Sequence, residues 1–83
     1  MDKEEFVTEF IHRLSYSFMD KSVMVHLGKR TFINADWFRF PFVDGYVDLY
    51  IKKRFVAEVL LKQVKGITEG YKITLGDDQD GKI

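Results

Sequence analysis

The chain has 83 residues, 46% of them apolar, 31% charged and 16% aromatic, and its formal net charge is zero. A domain of this size hides only about 60–65% of the surface its unfolded chain exposes, so it has one core and little apolar material left to line a deep substrate cavity. The absence of cysteine excludes disulfide frameworks, thiolate metal sites and cysteine nucleophiles.

The first element is a helix, predicted over about residues 2–19. Asp2 stands as a capping residue with Glu5 three positions on, and Asp2, Glu4 and Glu5 complement the helix dipole. Phe6, Val7, Phe10, Ile11, Leu14 and Phe18 recur at three- and four-residue steps as one apolar stripe. At "SVMVHLGKRTFI" the period falls to two: Val23, Val25 and Leu27 alternate with Ser22, Met24 and His26, as in a strand with one dry face. Gly28-Lys29-Arg30 reads as a turn or bulge before an extended Thr31–Ile33, and Asn34-Ala35-Asp36 as turn chemistry.

"WFRFPFV" has strand propensity, with Pro41 directing it to an edge or a bulge. On such a strand Trp37 and Arg39 face one way, and Phe38, Phe40 and Phe42 face the other, towards the N-terminal helix. Asp44-Gly45 is a hairpin signal. It leads into "YVDLYIK", with Val47, Leu49 and Ile51 on one side and Tyr46, Asp48 and Tyr50 on the other. Residues 54–65 admit two readings. Phe55, Val56, Val59, Leu60 and Val64 fall at helical spacing, with Gly66 as a left-handed cap. A helix here would put Lys52, Lys53 and Arg54 at the positive end of its dipole, whereas a valine-rich strand avoids that cost. The helix is the preferred reading. A turn at Glu69-Gly70, a last strand over 71–75 and an acidic, frayed tail over 76–83 complete a single α+β domain of residues 1–75.

Charge is unevenly spread: residues 1–20 carry a net of −3, residues 21–75 a net of +5 and residues 76–83 a net of −2. A basic body between acidic ends hints at a polyanion or an acidic partner, short of a dedicated nucleic-acid binder. The acidic opening "MDKEEFVTEF" lacks signal-peptide design, and no apolar run approaches the roughly 20 residues that cross a bilayer. A soluble, cytoplasmic protein is expected.

Five aromatics within "ADWFRFPFVDGY" exceed the needs of so small a core, and Trp, Tyr and Arg are the residue types enriched at interface hot spots. "IKKRF" is the densest basic cluster, with Tyr50 and Phe55 beside it, a combination that suits unpaired nucleic acid but equally a lysine-blunted edge. His12 and His26 lack carboxylates at ligand spacing, and no motif joins either to Ser15, Ser17 or Ser22. "GDDQDGKI" matches the opening of a calcium loop but fails at two ligands, and phosphate-cradling glycine loops are absent. A helix followed by short strands, with "VMVHLG" as the first, resembles the Sm-like barrel family over about a dozen residues. "NADWFRFPF" has no counterpart there, and no functional residue is carried across.

The expected fold is therefore α+β, an N-terminal amphipathic helix on a small, mostly antiparallel sheet. The expected function is non-enzymatic protein binding, by an adaptor or inhibitor of the kind bacteria and phages encode. Trp37, Arg39, Tyr46 and Tyr50 form the contact's centre and Lys52, Lys53 and Arg54 its rim. The partner is another protein or a second copy, and neither cofactor, metal, membrane nor small-molecule substrate is expected. The rival reading is nucleic-acid binding through Lys52–Arg54 and the neighbouring rings.

Overall fold

A computed structural model of the chain describes residues 1–17 and 21–70. It shows an N-terminal helix, α1 (Lys3–Ser15), followed by six strands: β1 (Val23–His26), β2 (Phe32–Ala35), β3 (Trp37–Arg39), β4 (Tyr46–Ile51), β5 (Arg54–Leu60) and β6 (Gly66–Glu69). The strands form two antiparallel three-stranded sheets, ordered β2-β1-β6 and β3-β4-β5. The class is the α+β expected, with the strands divided between two sheets instead of one. Phe18 and the strand and tail expected after Gly70 lie outside the described residues.

The helix starts as its sequence dictates. Asp2 is the N-cap, and its Oδ1 accepts from the Glu5 backbone N–H at 2.8 Å. It ends at Ser15, where serine chemistry competes with the helix. Ser15 Oγ donates back to the Ile11 carbonyl at 2.8 Å, and the next two backbone N–H groups reach Arg13 and Leu14 in tightened turns. Ser17 Oγ then donates to the Gly70 carbonyl at 2.8 Å, while the Gly70 N–H donates to the Ser22 carbonyl at 2.7 Å. These bonds tie the chain leaving α1 to the end of β6.

Asp36 is the single residue between β2 and β3, so one extended run changes sheets there. Its N–H donates to the Tyr50 carbonyl at 2.8 Å, and its carboxylate accepts from the Lys52 N–H at 3.0 Å. A bend of this kind lets two sheets share one core. That core holds Val23, Val25, Ala35, Ile67, Val47, Leu49 and Val59 from the strands, and α1 closes it with Phe6 and Phe10. Phe38 meets Phe6 and Phe10 at centroid distances of 5.4 and 4.8 Å, and Phe40 meets Phe6 at 6.2 Å.

The preferred helix over 54–65 is not formed. Residues 54–60 are strand β5, residues 61–63 make one turn of 3₁₀ helix, and Gly66 begins β6 instead of capping a helix. The misleading spacing has a physical origin in a β-bulge. Leu49 pairs with Ala57 and Tyr50 with Phe55, which leaves Val56 as the extra residue. One inserted residue shifts the two-residue alternation, so Phe55, Val56, Val59 and Leu60 fall at distances that mimic a helical face. The ladder to β4 also spares Lys52–Arg54 the unfavourable end of a helix dipole.

Phe42 is corrected as well. Strand β3 stops at Arg39, and past Pro41 the chain no longer alternates, so Phe42 is fully exposed instead of lying under α1.

Candidate functional site

In the β3-β4-β5 sheet the residues alternate cleanly across the pleat. Phe38, Val47, Leu49, Ala57 and Val59 point to the core, so their neighbours form an outer face. Its composition follows from register. Trp37 pairs with Tyr50 and Tyr50 with Phe55, making a row of three rings across the sheet. The Tyr50 and Phe55 rings meet edge to face at 5.8 Å. The next row is Arg39, Asp48 and Glu58, and beyond it Tyr46 pairs with Leu60.

Trp37 is 61% exposed and Phe55 58%, while Tyr46 and Tyr50 are half-buried. The bulge leaves Val56 exposed beside Phe55. Large rings standing in water on adjacent strands are costly, because each keeps apolar area hydrated that burial would stabilise at roughly 25 cal/mol per Å².

At one end of the face lies the β4–β5 turn. Lys52 and Lys53 are its two central residues, with φ of 48° and 69°. Two consecutive left-handed residues define the primed hairpin turn whose usual occupants are asparagine and glycine. Lysine there is strained, and strain of this kind concentrates at functional sites. Lys52, Lys53 and Arg54 are all exposed and make no ion pair among the described residues.

The charged row is compact. The Asp48 side chain is buried at the centre of the sheet, and its Oδ2 accepts from Arg39 Nη2 at 3.2 Å. Asp48 Oδ1 is screened from water and has no partner. Glu58, its cross-strand neighbour, is pushed above the ordinary carboxylate value of 4.5. The main cause is the hydrogen bond that Glu58 can give to Asp48 only when it is protonated; desolvation and the Asp48 charge act in the same direction, and Arg39 opposes them. Like charges directly opposite each other destabilise a sheet, and Arg39 relieves only part of this.

The structure thus brings Trp37, Arg39, Tyr46 and Tyr50 together on one face, with Lys52, Lys53 and Arg54 at its end. Sequence reading set Asp48 on the side of Tyr46 and Tyr50 but did not place Phe55 or Glu58 on that face, because their position depends on the register of β5 against β4. The other reactive residues are engaged elsewhere. His26 Nε2 lies 2.8 Å from Thr68 Oγ1, and His12 packs against Tyr16 at 5.0 Å. Among the described residues no three His, Asp or Glu side chains converge as metal ligands, and no helix is long and apolar enough to cross a membrane.

Compared with protein-family models, with curated proteins and with solved structures, the chain has no match.

Proposed function

We propose that this chain is a small non-enzymatic protein-binding module of the adaptor or inhibitor type, working in the cytoplasm through the outer face of β3-β4-β5. Trp37, Arg39, Tyr46 and Tyr50 form the centre of the contact, with Phe55 completing the ring row, and Lys52, Lys53 and Arg54 form a basic rim. The observation that supports this reading is the exposure of Trp37, 61%, in register with Tyr50 and Phe55. Rigid aromatics bury large areas on binding at small entropic cost, and a charged rim mainly steers encounter.

Trp37 is the one tryptophan of the chain, so its fluorescence reports the contact directly. A photo-crosslinking residue in place of Tyr46 identifies the bound protein. With that protein added, Trp37 emission is expected to shift to the blue and lose its accessibility to acrylamide. Trp37→Ala and Tyr50→Ala should each weaken binding at least tenfold, about 1.4 kcal/mol. Unchanged quenching in the complex, or full affinity in both variants, would sink the proposal.

Nucleic-acid binding is the second reading, favoured by the placement of three exposed rings beside Lys52–Arg54, an arrangement on which unpaired bases stack. The adjacent Asp48 and Glu58 repel a phosphate backbone crossing the face, which ranks this reading below protein binding. Salt separates the two. Phosphate contacts lose orders of magnitude of affinity between about 50 and 200 mM salt, and aromatic protein contacts lose little.

A further inference from the structure

The face has an internal symmetry of charge that suggests its occupant. Along β4, Asp48 and Tyr50 are two residues apart, about 6.7 Å at the rise of an extended strand, and the Lys52-Lys53 turn closes the strand just beyond Ile51. The ring row therefore lies midway between the acidic pair, Asp48 and Glu58, and the basic turn, Lys52 to Arg54. The acidic pair has one cation beside it for two carboxylates: Arg39 bonds Asp48 Oδ2, and no lysine or arginine forms an ion pair with Glu58 among the described residues. Asp36 lies at the basic turn but is engaged by the Lys52 backbone N–H at 3.0 Å.

We propose that this face pairs with the same face of a second copy of the chain, about a two-fold axis that runs along the Trp37–Tyr50–Phe55 row. The proposal rests on the reading of the face as a protein-binding surface and names the partner. An axis in the plane of the contact and across the strands returns each ring to its own counterpart. It also reverses position along the strands, which lays the basic turn of one copy over the acidic row of the other. Lys53 of one copy then approaches the exposed Glu58 of the other, and Lys52 approaches the row that Asp48 and Arg39 share, while Arg54, paired with Ile51, lies towards the opposite side of the sheet. Each pairing occurs twice, as an isologous interface demands. Sheets packed face to face in this way keep their strands nearly aligned, about 10 Å apart.

Other features fit the same occupant. A turn of only two residues places Lys52 and Lys53 together at the end of the face. With a net charge of zero, two copies approach without long-range repulsion. Size sets the affinity. Three strands at about 4.8 Å and the seven residues of β5 at about 3.3 Å give a footprint of roughly 320 Å². That lies below the roughly 800 Å² per partner of a standard interface, so the dimer is weak and concentration-dependent.

Sedimentation equilibrium on the full chain, from micromolar to millimolar concentration, tests this. The wild type is expected to show a reversible monomer–dimer equilibrium. Glu58→Lys and Lys53→Glu each place like charges in contact twice and should weaken it about tenfold or more. An equimolar mixture of the two restores both contacts in a heterodimer, so dimer should return on mixing. Both positions are exposed, and circular dichroism confirms that each variant folds. A chain that stays monomeric throughout overturns self-pairing and leaves the face open to a different protein. Two weakened variants that fail to rescue each other, or a dimer indifferent to both substitutions, also overturn it. A dimer indifferent to Trp37→Ala places the contact elsewhere and removes the reading of the face as well.

Discussion

Replacing Lys52 with asparagine and Lys53 with glycine should make the fold more stable and its candidate binding face less competent. Both residues sit at positive φ, 48° and 69°, where the Cβ of an ordinary residue crowds the following carbonyl at a cost of roughly 1–2 kcal/mol. Asparagine tolerates this region and glycine is unaffected by it. Glycine at position 53 returns roughly 0.5 kcal/mol through the greater freedom of the unfolded chain. The net gain is about 1 kcal/mol, or a rise of about 4–8 °C in the melting temperature of a domain this size. The Asp36 carboxylate keeps its bond, because it accepts from the backbone N–H of residue 52.

Thermal and urea denaturation measure the gain, and a second variant isolates its cause. Lys52→Ala with Lys53→Ala removes the same charges but leaves a Cβ at both left-handed positions. If the alanine pair stabilises as much as the asparagine–glycine pair, charge repulsion is the cause and backbone strain is not. No gain from the asparagine–glycine pair would refute the strain outright. Both double variants should weaken docking alike, since both remove the basic rim.

Three other outcomes follow from packing and charge. Gly70→Ala should destabilise the fold by about 3 kcal/mol in urea denaturation, because its Cβ would overlap the backbone oxygen of Ser22, to which the Gly70 N–H itself donates. Phe38→Ala, which strips the ring that α1 packs on, should cost about 3 kcal/mol, whereas Phe42→Ser should change stability by less than about 0.5 kcal/mol. Glu58 binds its proton more tightly folded than unfolded, so its stabilising contribution is complete in acid and is lost as pH rises through its raised folded value. Glu58→Gln should therefore be more stable than wild type at pH 7, with the gap closing below the ordinary carboxylate value of 4.5, as denaturation midpoints at the two pH values would show.

The elements that sequence reading captured are those where one signal acts alone. The Asp2 cap and the Phe6–Phe10 stripe needed only local chemistry, and the β4 alternation needed only its two-residue period. The failures came where a local pattern was altered by a partner strand. The bulge at Val56 exists because β4 sets the register of β5, and no property of residues 54–60 alone separates that bulge from a helical face. Phe42 was assigned to the core by extending alternation past Pro41, although β3 had already ended. The acidic pair was invisible for the same reason as the bulge: Asp48 and Glu58 are ten positions apart and meet only through the β4–β5 ladder. Trp37, Arg39, Tyr46 and Tyr50 share one sheet face because each alternates with a core residue on its strand.

An outer sheet face in water normally carries short polar or charged residues, and a two-residue hairpin turn normally carries asparagine and glycine. This chain departs from both habits within one patch. The rings of Trp37, Tyr50 and Phe55 keep apolar area hydrated, the turn holds two lysines at left-handed φ, and two carboxylates oppose each other one row inward. Each departure costs stability in a domain with a small core, and the Arg39–Asp48 pair and the Tyr50–Phe55 contact offset only part of it. Departures from local rules are expected at functional or strained sites, and their concentration here is what supports reading this face as a contact surface. On the proposed reading, a covering partner would lower two of these costs together: it would dry the rings and bring cations to the row of Asp48 and Glu58.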